Sequence, residues 1–317
     1  MEYRRVGKTG LQVSEIAYGS WLTFANQVEL DSAKAIIKRA FELGINYIDT
    51  ADAYEAGKAE ELLGQVLPAY GRSHYVVATK AFWPISKHIT DKGLSRKHII
   101  DSIEESLERL KLKYVDIFYC HRFDPDTPLV ETLEAIEDVI RQGKVLYWGT
   151  SEWSAEQISD AVRVCSERGW HAPIINQPLY NLLARKIEKS ILPTCVSHGM
   201  GTANFSPMAQ GILTGKYSGG KVPEGSRGSN ERQNVFMRDQ LADIELLDRI
   251  DGLRPIADKY NISLAQLALA WILRNPGISS VIVGATSPKQ LEESVGASGI
   301  KLSDEDYAMI SSRFPLS

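Results

Sequence analysis

The amino-acid sequence predicts an α/β fold, a (β/α)8 TIM barrel, in which eight parallel strands alternate with helices around a closed cylinder. Eight short apolar segments alternate with amphipathic segments of helical spacing, a pattern typical of parallel βαβ units. Over most of the chain successive strands lie about 30 residues apart, the length of one such unit. A chain of 317 residues, 44% of them hydrophobic, also suits one barrel. We therefore expect a single domain that spans residues 1–317.

An open, doubly wound sheet is the alternative for an alternating α/β sequence. That fold usually places a Gly-x-Gly-x-x-Gly turn after its first strand, where the glycines let the backbone approach a pyrophosphate. Here the first barrel strand is predicted at residues 16–18, and the turn after it has the sequence Gly-Ser-Trp-Leu-Thr-Phe. Because this turn does not fit the motif, the barrel is favoured.

The predicted elements begin with an N-terminal β-hairpin, whose strands at residues 3–6 and 11–14 flank a Gly-Lys-Thr-Gly turn. The barrel strands are predicted at residues 16–18, 45–48, 75–79, 115–120, 145–148, 174–176, 201–204 and 280–283. Helices between them are predicted at residues 31–43, 58–67, 95–110, 129–141, 154–167 and 185–198, with caps at Asp31 and Ser95. Extra helices toward the C-terminus are predicted at residues 239–260, 263–274, 288–297 and 303–313. The Gly-rich interval 211–238 breaks the pattern, and we interpret it as a mobile loop over the functional site.

Composition and charge argue against several classes of protein. The net charge of -4 and the isoelectric point of about 5.9 give no basic excess that would attract nucleic acid or an anionic membrane. The first residues lead into no apolar segment, so no signal peptide is expected, and no run approaches the length of a membrane span. Cys120, Cys165 and Cys195 have neither metal-ligand nor disulfide spacing, which predicts a reducing, cytoplasmic setting and no bound metal.

Polar side chains cluster at the ends of three consecutive predicted strands. Asp49 ends the second strand and Tyr54 follows in the next loop, while Lys80 and His121 end the third and fourth strands. The carboxyl ends of neighbouring barrel strands meet at one face, where such barrels place their active sites. Each residue alone is more often a loop anchor or a cap, but four of these types on adjacent strand ends predict a site.

The four residue types also fit one chemistry. A free tyrosine has a pKa near ~10, and an adjacent ammonium lowers that pKa because it stabilises the phenolate. Lys80 can be that ammonium, and Asp49 would keep it charged and oriented. His121 can donate a second hydrogen bond to a substrate oxygen. The sequence therefore predicts a proton donor, Tyr54, suited to protonating an alkoxide as it forms.

Several longer motifs resemble those of the aldo-keto reductases. They lie at residues 44–54, 78–80, 121–128, 149–151, 205–211, 214–217, 284–286 and 290–292, in the family's order and across nearly the whole chain. The sequence around His121 and Lys216 is most similar to that of the branch that contains the potassium-channel β subunits and their bacterial relatives. The resemblance implies a (β/α)8 barrel, NADP(H) as cofactor and carbonyl reduction, with Tyr54 as acid and His121 orienting the substrate.

The resemblance also implies which residues hold NADP(H). Residues matching those around the nicotinamide and the substrate pocket are Ser20, Trp21, Gln27, Asp49, Ser151, Gln177 and Phe205. Residues matching those around the phosphates and the adenosine are Ser206, Pro207, Met208, Gly211, Lys216, Arg227, Gly284, Thr286, Gln290 and Glu293. Two positions depart from the common pattern. Glu152 stands where the family more often has Asn or Arg, and Gln290 stands where many members have Arg.

Three functions follow as hypotheses. The first is NADPH-dependent reduction of a small-molecule aldehyde or ketone. The second is a cofactor-sensing partner subunit with little turnover, as the channel-β resemblance suggests; that branch also allows a homotetramer. His121 favours an enzyme, because channel β subunits typically carry Asn there. The third is an aldolase that uses Lys80 as a Schiff-base amine, which Asp49 disfavours because a carboxylate partner keeps the amine protonated.

Overall fold

The computed structural model describes residues 1–21, 30–231 and 234–316, and it contains a closed barrel of parallel strands. A short antiparallel pair, β1 and β2, precedes the barrel at Tyr3–Arg5 and Gln12–Ser14. The barrel strands are β3 Ile16–Gly19, β4 Tyr47–Asp49, β5 Val76–Ala81, β6 Val115–Cys120, β7 Val145–Ser151, β8 Ile175–Gln177, β9 Gly201–Asn204 and β10 Ile278–Val283. Strand β10 pairs in parallel with both β9 and β3, so the sheet has no open edge. The predicted barrel with its N-terminal hairpin is therefore confirmed.

Helices surround the barrel. They are α1 Leu30–Glu42, α2 Lys58–Val66, α3 Arg96–Leu110, α4 Leu129–Arg141, α5 Ala155–Arg168, α6 Ile191–Ser197, α7 Arg238–Ala242, α8 Ile244–Asp251, α9 Arg254–Lys259, α10 Leu264–Leu273, α11 Pro288–Val295 and α12 Asp304–Arg313. Most bury one apolar face, whereas α10 is buried along its whole length. Its start is fixed by a capping box, in which Ser263 and Gln266 satisfy each other's backbone N–H groups.

The N-terminal hairpin covers the amino end of the barrel. Val6 and Val13 are fully buried and pack with residues of the barrel interior such as Tyr47. The turn between the two strands fits tightly, because Gly7 has a φ of 55° and an added Cβ would lie 2.1 Å from the carbonyl oxygen of Gly199. With this end closed, access to the barrel is left to the opposite end, where the strands terminate.

The structure corrects several predicted boundaries. The helix predicted at 239–260 is three helices, because Asp243 caps α8 by accepting from the N–H of Leu246 and because Pro255, which lacks an N–H, lies in the first turn of α9. The helix predicted at 185–198 is a 3-10 turn, Lys186–Glu188, followed by α6. Asp31 lies inside the first turn of α1 and is therefore not its cap.

Two strands run further than predicted. Lys80 belongs to β5, where it pairs with Tyr119 of β6, and β7 continues through Ser151, which pairs with Gln177. Both residues therefore take their direction from the regular barrel sheet and not from a loop. Within residues 211–231, short 3-10 turns at Ser218–Gly220 and Arg227–Ser229 lie beside the open end of the barrel. The mobility of the predicted loop stays a prediction.

Candidate active site

A cleft of about 1440 Å³ opens at the carboxyl ends of the strands. Most of the residues selected from the sequence line it, namely Trp21, Asp49, Tyr54, His121, Ser151, Gln177, Phe205, Ser206, Pro207, Met208, Gly211, Lys216, Arg227, Gly284, Thr286, Gln290 and Glu293. Lys80 lies beneath the surface of the cleft. Ser20 does not line it, because its buried hydroxyl donates to the Thr50 hydroxyl at 2.9 Å. Gln27 lies outside the described residues.

Lys80 joins Asp49 and Tyr54 at the floor of the cleft. Its ammonium is fully buried and has three partners: Asp49 Oδ2 at 2.7 Å, the Thr50 carbonyl oxygen at 2.7 Å and Tyr54 Oη at 3.0 Å. These contacts use all three donors of the ammonium. The second carboxylate oxygen of Asp49 accepts from Gln177 Nε2 at 2.8 Å. Asp49 is thus held from two sides, and a tyrosine hydroxyl is the third group on one buried cation.

A sharp turn holds Tyr54 over Lys80. Glu55, Ala56 and Gly57 directly after it all have positive φ angles, of 51°, 51° and 89°. Non-glycine residues adopt this region rarely and at a cost, so the surrounding structure must impose it. The N–H of Ala59 at the start of α2 donates to the Tyr54 carbonyl oxygen at 3.4 Å. The turn therefore anchors the backbone of Tyr54 to the first turn of α2.

Burial raises the pKa of Tyr54, and this corrects the expectation that Lys80 lowers it on balance. Removal of water is the largest influence; Lys80 opposes it, and Asp49 adds to the rise. For Lys80, desolvation lowers the pKa, but Asp49 and Tyr54 outweigh it and the net pKa is raised. The site therefore holds a charged ammonium and a protonated phenol, the state of a proton donor.

His121 follows β6 directly and faces Tyr54. The ring centroids of the two residues are 5.9 Å apart, and the Trp83 ring lies 6.5 Å from the imidazole in an edge-to-face arrangement. Burial, Lys80 and Arg122 all lower the pKa of His121 well below 6.5, so the imidazole is neutral. Its Nδ1 is buried and has no partner among the described residues. A neutral imidazole can donate a hydrogen bond to a carbonyl oxygen and leave the transfer of a proton to the neighbouring phenol.

Residues expected around a nicotinamide ring form one wall of the cleft. Ser151 donates its hydroxyl hydrogen to the Gln177 carbonyl oxygen at 2.9 Å, which ties the ends of β7 and β8 together. Gln177 bonds to Asp49 on one side and lines the cleft on the other. Phe205 lies directly after β9 and presents an aromatic side chain to the same space. Any group bound here would contact a residue that also orients Asp49.

Two cations border the far part of the cleft. Neither Lys216 nor Arg227 forms an ion pair with any residue in 1–21, 30–231 or 234–316. Burial lowers the pKa of Arg227, and a carboxylate is absent from the described charges around it; the nearby group is the Tyr217 phenol. Lys216 stands close to Gly211, where an added Cβ would come within 3.1 Å of its Nζ. Unpaired cations along a cleft wall are suited to an anion.

The other wall ends at the start of α11. Gln290 folds back, so that its Oε1 accepts from the N–H of Thr286 at 2.8 Å and from the Thr286 hydroxyl at 3.1 Å. Gln290 therefore stiffens the segment that leads into α11. Glu293 lies one turn further along the helix and also lines the cleft.

Sequence reasoning missed several lining residues. Among them are Pro84, Arg122, Ser226, Ser229, Asn230, Ala265 and Ser294. The signal for Arg122 was its place beside His121 in a recognised motif. Ser226, Ser229 and Asn230 belong to the Gly-rich interval, whose path no periodicity predicts.

Two further findings limit the kinds of site. Within the described part of the chain, no group of three or more His, Cys, Asp or Glu side chains is placed to hold a metal ion. No helix in that same part is both long enough and apolar enough to cross a membrane.

The chain belongs to the aldo/keto reductase family, whose model matches residues 15–313. This membership supports an oxidoreductase. Two similar proteins are each called "Probable voltage-gated potassium channel subunit beta", one from Oryza sativa subsp. japonica and one from Arabidopsis thaliana. Each is 45% identical to this chain over 300 residues, which cover 94% of this chain and 91% of the relative. The predicted resemblance, including its branch, is therefore confirmed.

Proposed function

We propose that this protein reduces aldehydes or ketones to alcohols with NADPH. The observation that carries the proposal is the contact of one buried ammonium, Lys80 Nζ, with both Asp49 and Tyr54 at the floor of the cleft. Family membership supports the same class of reaction.

The residues present fit a nicotinamide dinucleotide. The cleft has ample volume for one. Lys216 and Arg227, which have no ion-pair partner among the described residues, are suited to its phosphates. Ser151, Gln177 and Phe205 would hold the nicotinamide, the first two by hydrogen bonds and the third by stacking. Thr286 and Gln290, at the start of α11, would flank the adenosine. When bound, the cofactor supplies a hydride.

The chain's own residues supply the proton and the orientation. Tyr54 donates its phenolic proton to the developing alkoxide, and Lys80 stabilises the phenolate that remains. Asp49 keeps Lys80 charged during this transfer. His121, neutral and facing Tyr54, holds the substrate oxygen between the two rings. The aromatic side chains of Trp21 and Trp83 line the same cleft.

The direct test is oxidation of NADPH by the purified protein with a reactive aromatic aldehyde. We expect steady loss of NADPH absorbance that requires the aldehyde, and formation of the corresponding alcohol in equal amount. NADH is assayed in parallel, because Gln290 replaces the Arg found in many family members. Absence of turnover with a broad panel of aldehydes and ketones would contradict the proposal.

A partner subunit is the second candidate, and the 45% identity to proteins named as potassium channel β subunits favours it. In that role NADPH binds tightly but is oxidised slowly, and the protein assembles with another chain. NADPH binding without turnover would support this candidate, whereas turnover of thousands of equivalents would support the enzyme. The proposed cytoplasmic location and homotetramer are common to both candidates.

The pH dependence of the reaction follows from the proton donor. Burial raises the pKa of Tyr54 above its ordinary value of 10.0, and reduction needs the protonated phenol. The pKa of His121 lies well below 6.5, so the imidazole stays neutral above that pH. We expect kcat/KM for reduction to stay constant from pH 6.5 to pH 10 and to fall only above it. Alcohol oxidation needs the phenolate and should rise with pH. A fall in the reduction profile well below pH 10 would contradict Tyr54 as the donor.

Substitution of Arg227 tests its proposed contact with the cofactor phosphates. Arg227→Met removes a partly buried guanidinium, and we expect the Kd for NADPH to rise roughly tenfold to a hundredfold, the range for a charged hydrogen bond. Fluorescence titration measures this Kd without any need for turnover. Lys221→Met is the matched control, because Lys221 is an exposed cation on the same loop that does not line the cleft. Equal effects of the two variants would show a general charge effect and contradict a contact.

A further inference from the structure

Arg122 is a cation at the substrate end of the cleft, and proton transfer does not use it. We propose that its guanidinium binds a carboxylate of the substrate, so that the protein acts on aldehydes or ketones that also carry a carboxylate. The inference rests on the proposed function, since it names the substrate class of that same cleft.

The position of Arg122 is fixed by its neighbours. Its Nη1 donates to the carbonyl oxygen of His121 at 2.5 Å and to Ser151 Oγ at 3.4 Å. The guanidinium carbon lies 5.6 Å from the centroid of the Trp83 ring, and that ring is 6.5 Å from the imidazole of His121. The guanidinium and His121 therefore line the same part of the cleft, and the His121 ring lies close to the Tyr54 ring.

Most donors of this guanidinium are unused. Nε and Nη2 form no hydrogen bond with a described residue. No described carboxylate oxygen lies within 4.0 Å of a guanidinium nitrogen, the limit for an ion pair. Glu152 is the opposing charge nearby, but it does not line the cleft and its Oε1 accepts from the N–H of Leu179 at 2.6 Å. Burial lowers the pKa of Arg122, and the nearby Glu152 and Tyr54 offset this only in part. The open N–H donors of a guanidinium form a planar fork that matches a carboxylate in geometry and charge.

Among the described residues that line this end of the cleft, none offers Arg122 a paired carboxylate, and Glu152 acts on it only from outside the lining. Asp49 and Lys80 form a pair whose charges cancel, and His121 is neutral. Lys216 and Arg227 lie at the other end, where we propose that the cofactor phosphates bind. A neutral substrate would leave the guanidinium half-desolvated and unpaired, whereas a carboxylate would fill its open donors. The balance therefore favours an anionic substrate over a neutral or cationic one.

Matched substrates test the inference. Ortho-, meta- and para-formylbenzoate carry an aldehyde and a carboxylate, and their methyl esters lack only the charge. We expect the wild-type protein to prefer at least one acid over its ester in kcat/KM. In Arg122→Gln the acid-to-ester ratio should fall roughly tenfold to a hundredfold, as for a lost charged hydrogen bond. Arg122→Lys should recover part of the ratio, because a point charge replaces the fork.

Two control variants separate this contact from general effects. Arg168 lies over Trp170 with the same separation of 5.6 Å but outside the cleft, so Arg168→Gln should leave the ratio unchanged. Glu152→Gln removes the opposing charge and should raise the ratio. If Arg122→Gln instead lowers kcat/KM equally for acid and ester and weakens NADPH binding, the guanidinium orients Ser151 and the inference is wrong.

A binding measurement distinguishes failure of the inference from failure of the proposed function. Calorimetry compares benzoate with benzamide, each added to the protein in the presence of NADP+. Tighter binding of benzoate that is lost in Arg122→Gln supports the carboxylate site even if no aldehyde is turned over, in which case only the proposed function fails. Turnover of the esters with an unchanged ratio in Arg122→Gln overturns the inference and leaves the proposed function intact. Equal binding of benzoate and benzamide together with no turnover contradicts both.

Discussion

Tyr54→Phe is expected to lower kcat for aldehyde reduction by roughly a hundredfold to ten-thousandfold, the range attributed to a positioned general acid. The substitution removes only the phenolic oxygen, which lies 3.0 Å from Lys80 Nζ. Lys80 keeps its bonds to Asp49 and to the Thr50 carbonyl oxygen, so the charge pair at the floor of the cleft stays intact. Binding of NADPH should therefore change little.

The measurement for this variant combines steady-state kinetics with a fluorescence titration of NADPH. Tyr180→Phe is the control, because it also removes a buried hydroxyl, which donates to Glu188 Oε1 at 2.9 Å, but Tyr180 does not line the cleft. Loss of turnover in Tyr54→Phe alone supports its role as the acid. Normal turnover in that variant would rule out Tyr54 as the proton donor.

Lys80→Met should both abolish turnover and destabilise the fold. Asp49 is nearly fully buried, and without the ammonium its carboxylate would keep, among the described residues, only the hydrogen bond from Gln177 Nε2. Breaking a buried ion pair by removing one partner costs about 3–5 kcal/mol, because an uncompensated charge remains in the interior. We expect the free energy of unfolding, measured by urea denaturation, to fall by that amount.

A double variant separates stability from catalysis. Asp49→Asn combined with Lys80→Met removes both charges, so most of the lost stability should return while turnover stays absent. The surface pair Lys34–Asp31, at 3.4 Å and highly exposed, is the matched control, and Lys34→Met should cost less than about 1 kcal/mol. If Lys80→Met were as stable as the wild type, Asp49 would not be held by charge, and its role as the partner that keeps Lys80 protonated would be wrong.

The barrel was predictable because its signals are local and repeated. Each strand is a short apolar run and each helix an amphipathic one, and parallel strands of this number close in few ways. Boundaries were less predictable. Lys80 was expected just beyond its strand, yet it is paired within β5, because register across the sheet depends on the neighbour Tyr119. Likewise Asp243 and Pro255 divide a segment that periodicity alone joins into one helix.

The sequence by itself determined the residue types of the site and the order of the strands that carry them. Asp49, Lys80 and His121 were selected by their places at successive strand ends, and Tyr54 by its place in the loop after Asp49. These inferences succeed because the period of an element and the chemistry of a side chain are properties of the local chain.

Only the tertiary structure decided how those groups behave. It reversed the expected direction of the Tyr54 pKa, because burial outweighs the ammonium of Lys80. It placed the Ser20 hydroxyl against Thr50 and outside the lining of the cleft, and it placed the Gln177 amide in a hydrogen bond to Asp49. It also left the Arg122 guanidinium, beside His121, without a carboxylate at ion-pair distance among the described residues. Desolvation and pairing depend on every neighbour in three dimensions, and residues far apart in the chain supply those neighbours.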